Sequence, residues 1–187
     1  DEYLDLAKYL KPILVKIDGF VDNARIESLL RKGWLLSHST WRDEKSVVRW
    51  RAEGEHHGVQ EKSRFQIFQD YHLGVGEVVS DTAPPANAPV HEPRFDETEA
   101  GELNKSGFMG HDVWKSINTE GKLALLYAWQ NVRAAKSWTP KMFGGVKEIR
   151  HRIVRAVRDY GMYDRREAPQ FYLDVVGAQT KHTAPAR

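Results

Sequence analysis

The chain carries an internal repeat in which matching residues lie 88 positions apart. The register is set by two tryptophan pairs of equal spacing, Trp41 and Trp50 against Trp129 and Trp138. The same offset matches further glycines, leucines and Gly-Phe pairs: Gly33 with Gly121, Leu35 with Leu123, and Gly19-Phe20 with Gly107-Phe108. Chance does not readily supply so many matches at one offset. We therefore interpret the chain as two copies of one folding unit.

The repeat divides the chain into two domains of similar length. The first copy occupies residues 1–80, and a second, more divergent copy occupies residues 95–176. The segment between them, 81–94, is rich in proline and small residues, which is typical of an extended linker. The tail, 177–187, has the same composition, and we expect it to be flexible.

The first copy predicts the order helix, strand, strand, helix, strand. Apolar residues at spacings of three and four between Leu6 and Ile17 predict the first helix. Gly33 marks the turn of a hairpin whose strands are 24–30 and 34–41. An acidic helix start follows the hairpin, and the alternating residues 64–79 predict the last strand.

The second copy predicts the same order less clearly. Residues 115–119 and 122–129 form its hairpin, and a helix follows over about 132–149. The alternation over 153–158 indicates the last strand, whereas only residues 97–105 can supply the helix before the hairpin. This order predicts an α+β fold of ferredoxin-like units in tandem. A ferredoxin-like unit begins with a strand, and we expect that strand of copy one to lie upstream of the first residue.

Composition excludes several classes of protein. The chain has no cysteine, which excludes disulfides, zinc–thiolate sites and a thiol nucleophile. The net charge of +2 gives no electrostatic case for binding nucleic acid. The longest apolar run, Leu123 to Trp129, is far shorter than the ~20 residues of a membrane-spanning helix. No signal peptide is visible, and we expect a cytoplasmic protein without a membrane partner.

One long ordered set of residues resembles the antibiotic biosynthesis monooxygenase family. The matching segments are Gly19-Phe20, Glu27-Ser28-Leu29, Gly33-Trp34-Leu35-Leu36-Ser37, Ser39-Thr40-Trp41-Arg42-Asp43-Glu44, Val47, Trp50-Arg51, Glu55-His56-His57-Gly58-Val59-Gln60, Ser63-Arg64 and Phe68-Gln69-Asp70-Tyr71. The resemblance covers about residues 19–79, and the second copy resembles the family more weakly. It implies a dimeric α+β barrel, in which two ferredoxin-like sheets pack face to face around a cavity. The two copies would form that barrel within one chain or pair across a homodimer.

The resemblance also implies a function. The family includes small oxygenases that oxidise polycyclic aromatic substrates without metal or flavin, and relatives that bind and degrade haem. We therefore expect a cofactor-independent monooxygenase that uses dioxygen on an electron-rich aromatic or polyketide-like substrate. The alternatives are a haem-binding or haem-degrading protein of the same fold and a non-catalytic tandem binding module.

Three polar side chains are the catalytic candidates. His56 and His57 lie four and three residues before Gln60, so one helix face can present them together. An imidazole can act as general base on a phenolic substrate, and an amide can orient it. Trp50 lies seven residues before His57, which places it on nearly the same face of a continuous helix. A polar helix end in solvent would show the same pattern.

Substrate-binding candidates are spread over both copies. Each is an aromatic or charged side chain on a predicted strand or helix: Trp50, His38, Tyr71, Trp138 and Arg155. The aromatic rings can line a pocket for a flat ligand, and Arg155 can stabilise an enolate or peroxide anion. Burial in an ordinary core, or for Arg155 a place at a charged strand edge, explains them equally well. We predict no metal site.

Haem binding requires a further residue, an axial histidine. The resemblance puts that ligand about ten residues beyond Trp50, where this chain has Gln60, and His57 lies one turn earlier. The second copy has no histidine between Trp138 and Arg150. Haem is therefore the alternative cofactor, and the first expectation is that none is needed.

Overall fold

The chain folds into a mixture of helices and antiparallel sheets. A computed structural model describes residues 2–84, 107–138 and 149–169. The elements in chain order are α1 (Glu2–Leu14), β1 (Phe20–Ser28), β2 (Leu35–Trp41), α2 (Glu44–Ala52), α3 (Gly54–Lys62), a π-helical turn (Ser63–Ile67), β3 (His72–Asp81), β4 (Phe108–Ser116), β5 (Leu123–Trp129), α4 (Val132–Ser137) and β6 (Arg152–Gly161). The α+β class is as predicted, and the elements are compatible with a ferredoxin-like fold.

In the part of the chain that the structure describes, two sheets hold six strands. One has four strands in the order β2-β1-β4-β5, and the other pairs β3 with β6. The strands β1 and β4 run antiparallel, with Ile26 opposite Ser116, Glu27 opposite Lys115, and Ser28 opposite Trp114. The hairpin strands β4 and β5 are also antiparallel.

The pairing of β1 with β4 is reciprocal. Backbone hydrogen bonds close both ends of the paired stretch, from Leu29 N to Val113 O (2.8 Å) and from Ile117 N to Arg25 O (3.0 Å). Each partner in the second bond lies 88 positions from a partner in the first. At the centre, Lys115 Nζ lies 2.8 Å from Glu27 Oε1.

Two glycines lead into β1 and β4. Gly19 and Gly107 have φ angles of +86° and +53°, which favour glycine. A Cβ on Gly19 would lie 1.9 Å from Ser46 Oγ, and one on Gly107 would lie 2.5 Å from the Cβ of Ala134. Only glycine fits at either position, because α2 and α4 approach the backbone there.

The helices α2 and α4 begin with the same type of cap. Asp43 Oδ1 accepts a hydrogen bond from Ser46 N (2.8 Å), and Asn131 Oδ1 accepts one from Ala134 N (2.9 Å). Hydrogen bonds from the Ser46 hydroxyl and backbone N–H hold the pKa of Asp43 at about 2. The cap therefore has its full strength at neutral pH.

The contacts group the chain into two compact units. Of the described residues, 2–22, 40–77 and 156–169 belong to the first unit, and 23–39, 78–84, 107–138 and 149–155 belong to the second. In the first unit α1 buries its apolar face, made of Ala7, Leu10 and Leu14. The core of the second unit consists of Val79, Ala135 and Ile153, with Trp129 and Val132 packed against it.

Several predicted boundaries differ from the observed ones. The predicted strand 64–79 is wrong in its first half, because residues 63–67 form the π-helical turn and β3 begins at His72. The reason is tertiary: Arg64 is buried there and donates to the backbone oxygen of Met162, far along the chain. The first strand of the second hairpin, predicted at 115–119, begins earlier, at Phe108, and ends at Ser116.

Other predictions fall wholly or partly on residues outside the described ranges. These are the helix at 97–105, most of the linker 81–94, the tail 177–187, and residues 139–148 of the predicted helix 132–149. The part of that helix that is described ends earlier than predicted, because α4 stops at Ser137 and Trp138 has an extended backbone. Among the described residues, no helix is both long enough and apolar enough to cross a membrane.

Candidate active site

Which histidine contacts Trp50 depends on a break between helices α2 and α3. Helix α2 ends at Ala52, and Glu53 has an extended backbone (φ −64°, ψ 130°) before α3 begins at Gly54. The carboxylate of Glu53 caps α3 by accepting a hydrogen bond from His56 N at 2.8 Å. The prediction that Trp50 and His57 share one helix face is therefore wrong, because no continuous helix joins them.

His56 is the histidine that contacts Trp50. The two rings are stacked, with centroids 3.9 Å apart and planes 14° apart. His56 Nδ1 also lies 2.8 Å from the backbone oxygen of Trp50. A carbonyl oxygen can only accept a hydrogen bond, so Nδ1 carries the proton and the neutral ring keeps a lone pair on Nε2.

Burial determines the charge of His56. It lowers the pKa of the imidazole below its usual value of 6.5, while the hydrogen bond to Trp50 and the charge of Glu53 oppose this only in part. The ring is therefore neutral at pH 7. A neutral imidazole with one fixed nitrogen and one free lone pair is suited to accept a proton.

The other two catalytic candidates lie on α3 with His56. His57 is exposed, and Gln60 is half-buried. Each makes interactions of its own. The structure thus separates the two adjacent histidines by environment, since one is stacked on an indole and the other lies at the surface.

Tyr71 lies in a second polar cluster of the first unit, which we call the Arg–Tyr cluster (Arg64, Tyr71 and Arg165). Arg64 Nη1 donates to Tyr71 Oη at 2.9 Å, and Arg165 Nη1 donates to the same oxygen at 2.7 Å. Arg64 Nη1 also donates to the backbone oxygen of Met162 at 3.0 Å. Sequence reasoning named Tyr71 as a site candidate and missed both arginines.

The three remaining candidates, His38, Trp138 and Arg155, belong to the second unit. Trp138 lies in an aromatic cluster, with its ring centroid 4.5 Å from that of Tyr127 and 6.2 Å from that of Trp129. The ring of His151 packs edge-on against Trp138 at 5.9 Å. The sequence has no histidine between Trp138 and Arg150, and His151 is the next residue along the chain.

His38 and Arg155 have different surroundings. His38 is half-buried on β2, and its backbone oxygen accepts a hydrogen bond from Asn23 Nδ2 at 2.9 Å. Arg155 is exposed on β6 and makes interactions of its own. Within residues 2–84, 107–138 and 149–169, no group of three or more carboxylate and imidazole side chains is arranged to hold a metal ion.

Comparison with known proteins gives one informative match. The chain is 37% identical over 204 residues to a protein of Pyricularia oryzae named Jasmonate monooxygenase ABM, and the match covers 92% of this chain and 91% of the relative. No family model matches the chain, and no solved structure matches it significantly. The relative's identity and coverage agree with the resemblance carried by the residues from Gly19 to Tyr71. The chain belongs to the antibiotic biosynthesis monooxygenase family.

Proposed function

We propose that the protein is a small monooxygenase that works without a cofactor and uses His56 as its general base. The observation that carries the proposal is the geometry of His56, whose Nδ1 is fixed by the backbone oxygen of Trp50 at 2.8 Å. The ring is also stacked on Trp50 and is neutral at pH 7, because burial lowers its pKa. The monooxygenase name of the relative supports the reaction class.

The proposed chemistry needs no electron donor other than the substrate. Nε2 of His56 removes a proton from a carbon or oxygen conjugated with a carbonyl group, which leaves an electron-rich enolate or phenolate. That anion passes one electron to dioxygen, and the two radicals join as a peroxide. Loss of water from the peroxide converts a CH₂ group into C=O, so that CH₂ and O₂ yield C=O and H₂O with atoms and electrons balanced.

This chemistry defines the substrate class. The substrate must carry an acidic C–H or O–H group conjugated with a carbonyl, as electron-rich aromatic and polyketide-like molecules do. The relative's name gives jasmonate as the compound on which that protein acts. Jasmonate is a cyclic ketone with acidic C–H groups beside its carbonyl, so it falls within the same chemical class.

The test compares two histidines under conditions that exclude cofactors. Purified protein with a chelator and no reductant is mixed with anthrone or jasmonic acid, and both oxygen uptake and product mass are recorded. We expect incorporation of one atom from labelled dioxygen and a fall in turnover of about a hundredfold or more in His56→Gln. His57→Gln should retain more of the turnover, because His57 is exposed. Full turnover in His56→Gln would contradict the proposal, and binding without turnover would favour a non-catalytic module.

Haem binding is the second candidate function. The observation that favours it is again His56, since an Nδ1 fixed by a backbone oxygen leaves Nε2 as the nitrogen that would ligate iron. Gln60, where the resemblance puts the axial ligand, has an amide and does not fit that role. Bound haem would supply iron able to bind dioxygen. A Soret shift on adding hemin, abolished in His56→Ala, would support this candidate. Turnover without hemin would show that the reaction does not require haem.

We also infer that the chain is a tandem of two copies that pair within one molecule. The constant offset of 88 supports this, because it relates Gly19 to Gly107, and β1 and β2 to β4 and β5. The reciprocal hydrogen bonds between β1 and β4 are a second support. Light scattering tests the arrangement: the mass of one chain in solution is expected, and a stable homodimer would favour pairing between chains.

A further inference from the structure

The Arg–Tyr cluster holds two cations against one neutral oxygen. Arg64 is only 2% exposed, and its guanidinium reaches Tyr71 Oη and the backbone oxygen of Met162. Arg165 reaches the same phenolic oxygen from the segment that follows β6. Met162 is 1% exposed, so this corner of the first unit is largely shielded from water.

The hydrogen-bond inventory of Tyr71 defines what the cluster can offer. A guanidinium can only donate, so the phenolic oxygen accepts both bonds and both of its lone pairs are used. The proton of the Tyr71 hydroxyl is then directed away from the arginines. No group among the described residues accepts that proton. Tyr71 therefore presents a hydroxyl donor polarised by two cations, which is suited to an anionic acceptor.

The arginines around Tyr160 also favour an anion in this cluster. Tyr160 is 5% exposed, and the guanidinium carbon of Arg165 lies 5.5 Å from the centre of its ring. Burial raises the pKa of Tyr160, while the positive charges of Arg51, Arg165 and Arg158 act to lower it. Tyr160 therefore lies among positive charges, which favour an anion beside it.

We propose that the Arg–Tyr cluster binds the carboxylate of an acidic substrate, with the Tyr71 hydroxyl and the Arg165 guanidinium as donors. The inference rests on the proposed monooxygenase function and adds to it that the substrate carries a carboxylate remote from the carbonyl that reacts. A planar guanidinium matches the geometry of a carboxylate, and partial burial strengthens the attraction. Jasmonate, for which the relative is named, is a carboxylate of this class.

The same contacts also tie the start of β3 to the segment after β6, so the test must separate binding from folding. Direct binding of jasmonic acid and of its methyl ester is measured by calorimetry, without turnover. These two ligands differ in the negative charge and share the ketone. We expect the protein to bind the acid at least about tenfold more tightly than the ester, because the ester lacks the charge-assisted hydrogen bonds.

Variants then locate the site. In Arg165→Met and in Tyr71→Phe, the affinity for the acid should fall about tenfold to a hundredfold and the affinity for the ester should change little. Arg166→Met is the matched control, because Arg166 is exposed and its guanidinium is paired with Asp164 at 2.6 Å. Thermal unfolding of each variant identifies any that fails to fold, and Arg165→Lys replaces it if Arg165→Met does.

The outcomes separate this inference from the proposed function. Equal affinity of the wild-type protein for acid and ester, or an equal loss of both in Arg165→Met, would overturn the carboxylate site. Competition by acetate alone at the same concentration as the acid would show a general anion site and would also overturn it. Turnover of anthrone, which has no carboxylate, still tests His56 in either case.

Discussion

The imidazole of His56 lies face to face with the indole of Trp50, and its Nδ1 is bonded to the backbone oxygen of the same tryptophan. Trp50 therefore determines the orientation, the tautomer and much of the desolvation of His56. Trp50 ends up beside His56 because Glu53 interrupts the helix between them.

The pH dependence of turnover follows from that contact. The pKa of His56 is lowered, so the ring stays neutral below pH 6.5 and loses its basic form only as pH falls through the lowered pKa. We expect kcat to rise with pH along an acid limb whose midpoint is below 6.5. In Trp50→Leu, where the ring gains solvent, the midpoint should move up towards 6.5. A wild-type midpoint above that value, measured from kcat against pH, would contradict the assignment.

The cap of α3 is a second testable contact. Glu53→Ala removes the side chain that accepts from His56 N, and we expect a loss of about 1 kcal/mol in the free energy of unfolding. Turnover should fall as well, because the same bond fixes the backbone of His56. Urea unfolding measures the first effect, and Glu61→Ala, at an exposed position of the same helix, is the control. Equal stability of the two variants would show that the cap contributes nothing.

Gly19 and Gly33 allow strain and steric clash to be separated. Both have positive φ angles, but a Cβ on Gly33 would meet nothing within 4 Å, whereas one on Gly19 would meet Ser46. Gly33→Ala should cost about 1–2 kcal/mol from the backbone alone. Gly19→Ala should cost about 1–3 kcal/mol more, because Ser46 must move.

A double variant checks that explanation. Ser46→Gly removes the atoms that the new Cβ would meet, so Gly19→Ala should cost less in that background than in the wild type. Additive costs in urea unfolding would show that the clash is relieved in some other way.

Acid stability depends on Asp81. Burial acts to raise the pKa of this carboxyl, but hydrogen bonds from Arg150, from the N–H of Ala83 and from Arg152 outweigh it and hold the pKa at about 2. The folded-state pKa lies below the usual value of 3.8, so the contribution to stability is present above that pH and is lost as pH falls towards 2. Asp81→Asn should be less stable than wild type at pH 7, and the difference should shrink over that window. A constant difference in thermal unfolding across pH would contradict this.

The hairpins were predictable from sequence because their signals are local. Gly33 and Gly121 both adopt positive φ angles in the turns that follow β1 and β4, where the glycine pattern predicted turns. The tryptophan spacing predicts an offset of 88 residues, and β2 and β5 begin 88 residues apart. The glycine signals of the turns depend only on neighbouring residues.

The contacts of the site depend on distant residues and were harder to predict. Arg64 reads locally as part of an alternating strand, yet it is buried by contacts with Tyr71 and Met162. Nothing near position 64 predicts a partner that lies 98 residues away. The contact of His56 rather than His57 with Trp50 depends on one backbone break, at Glu53.

The ion pair between Glu27 and Lys115 lies at the centre of the pairing between β1 and β4. The two residues lie 88 positions apart and face each other across β1 and β4, as residues on a two-fold axis do. In a symmetric dimer of identical chains, a residue at that point meets its own copy, so an acid there faces an acid and the strands repel. In the tandem arrangement that we propose, the two halves belong to one polypeptide, so opposite charges can occupy the axis. Each half then meets the other at a fixed effective concentration, which does not fall when the protein is diluted.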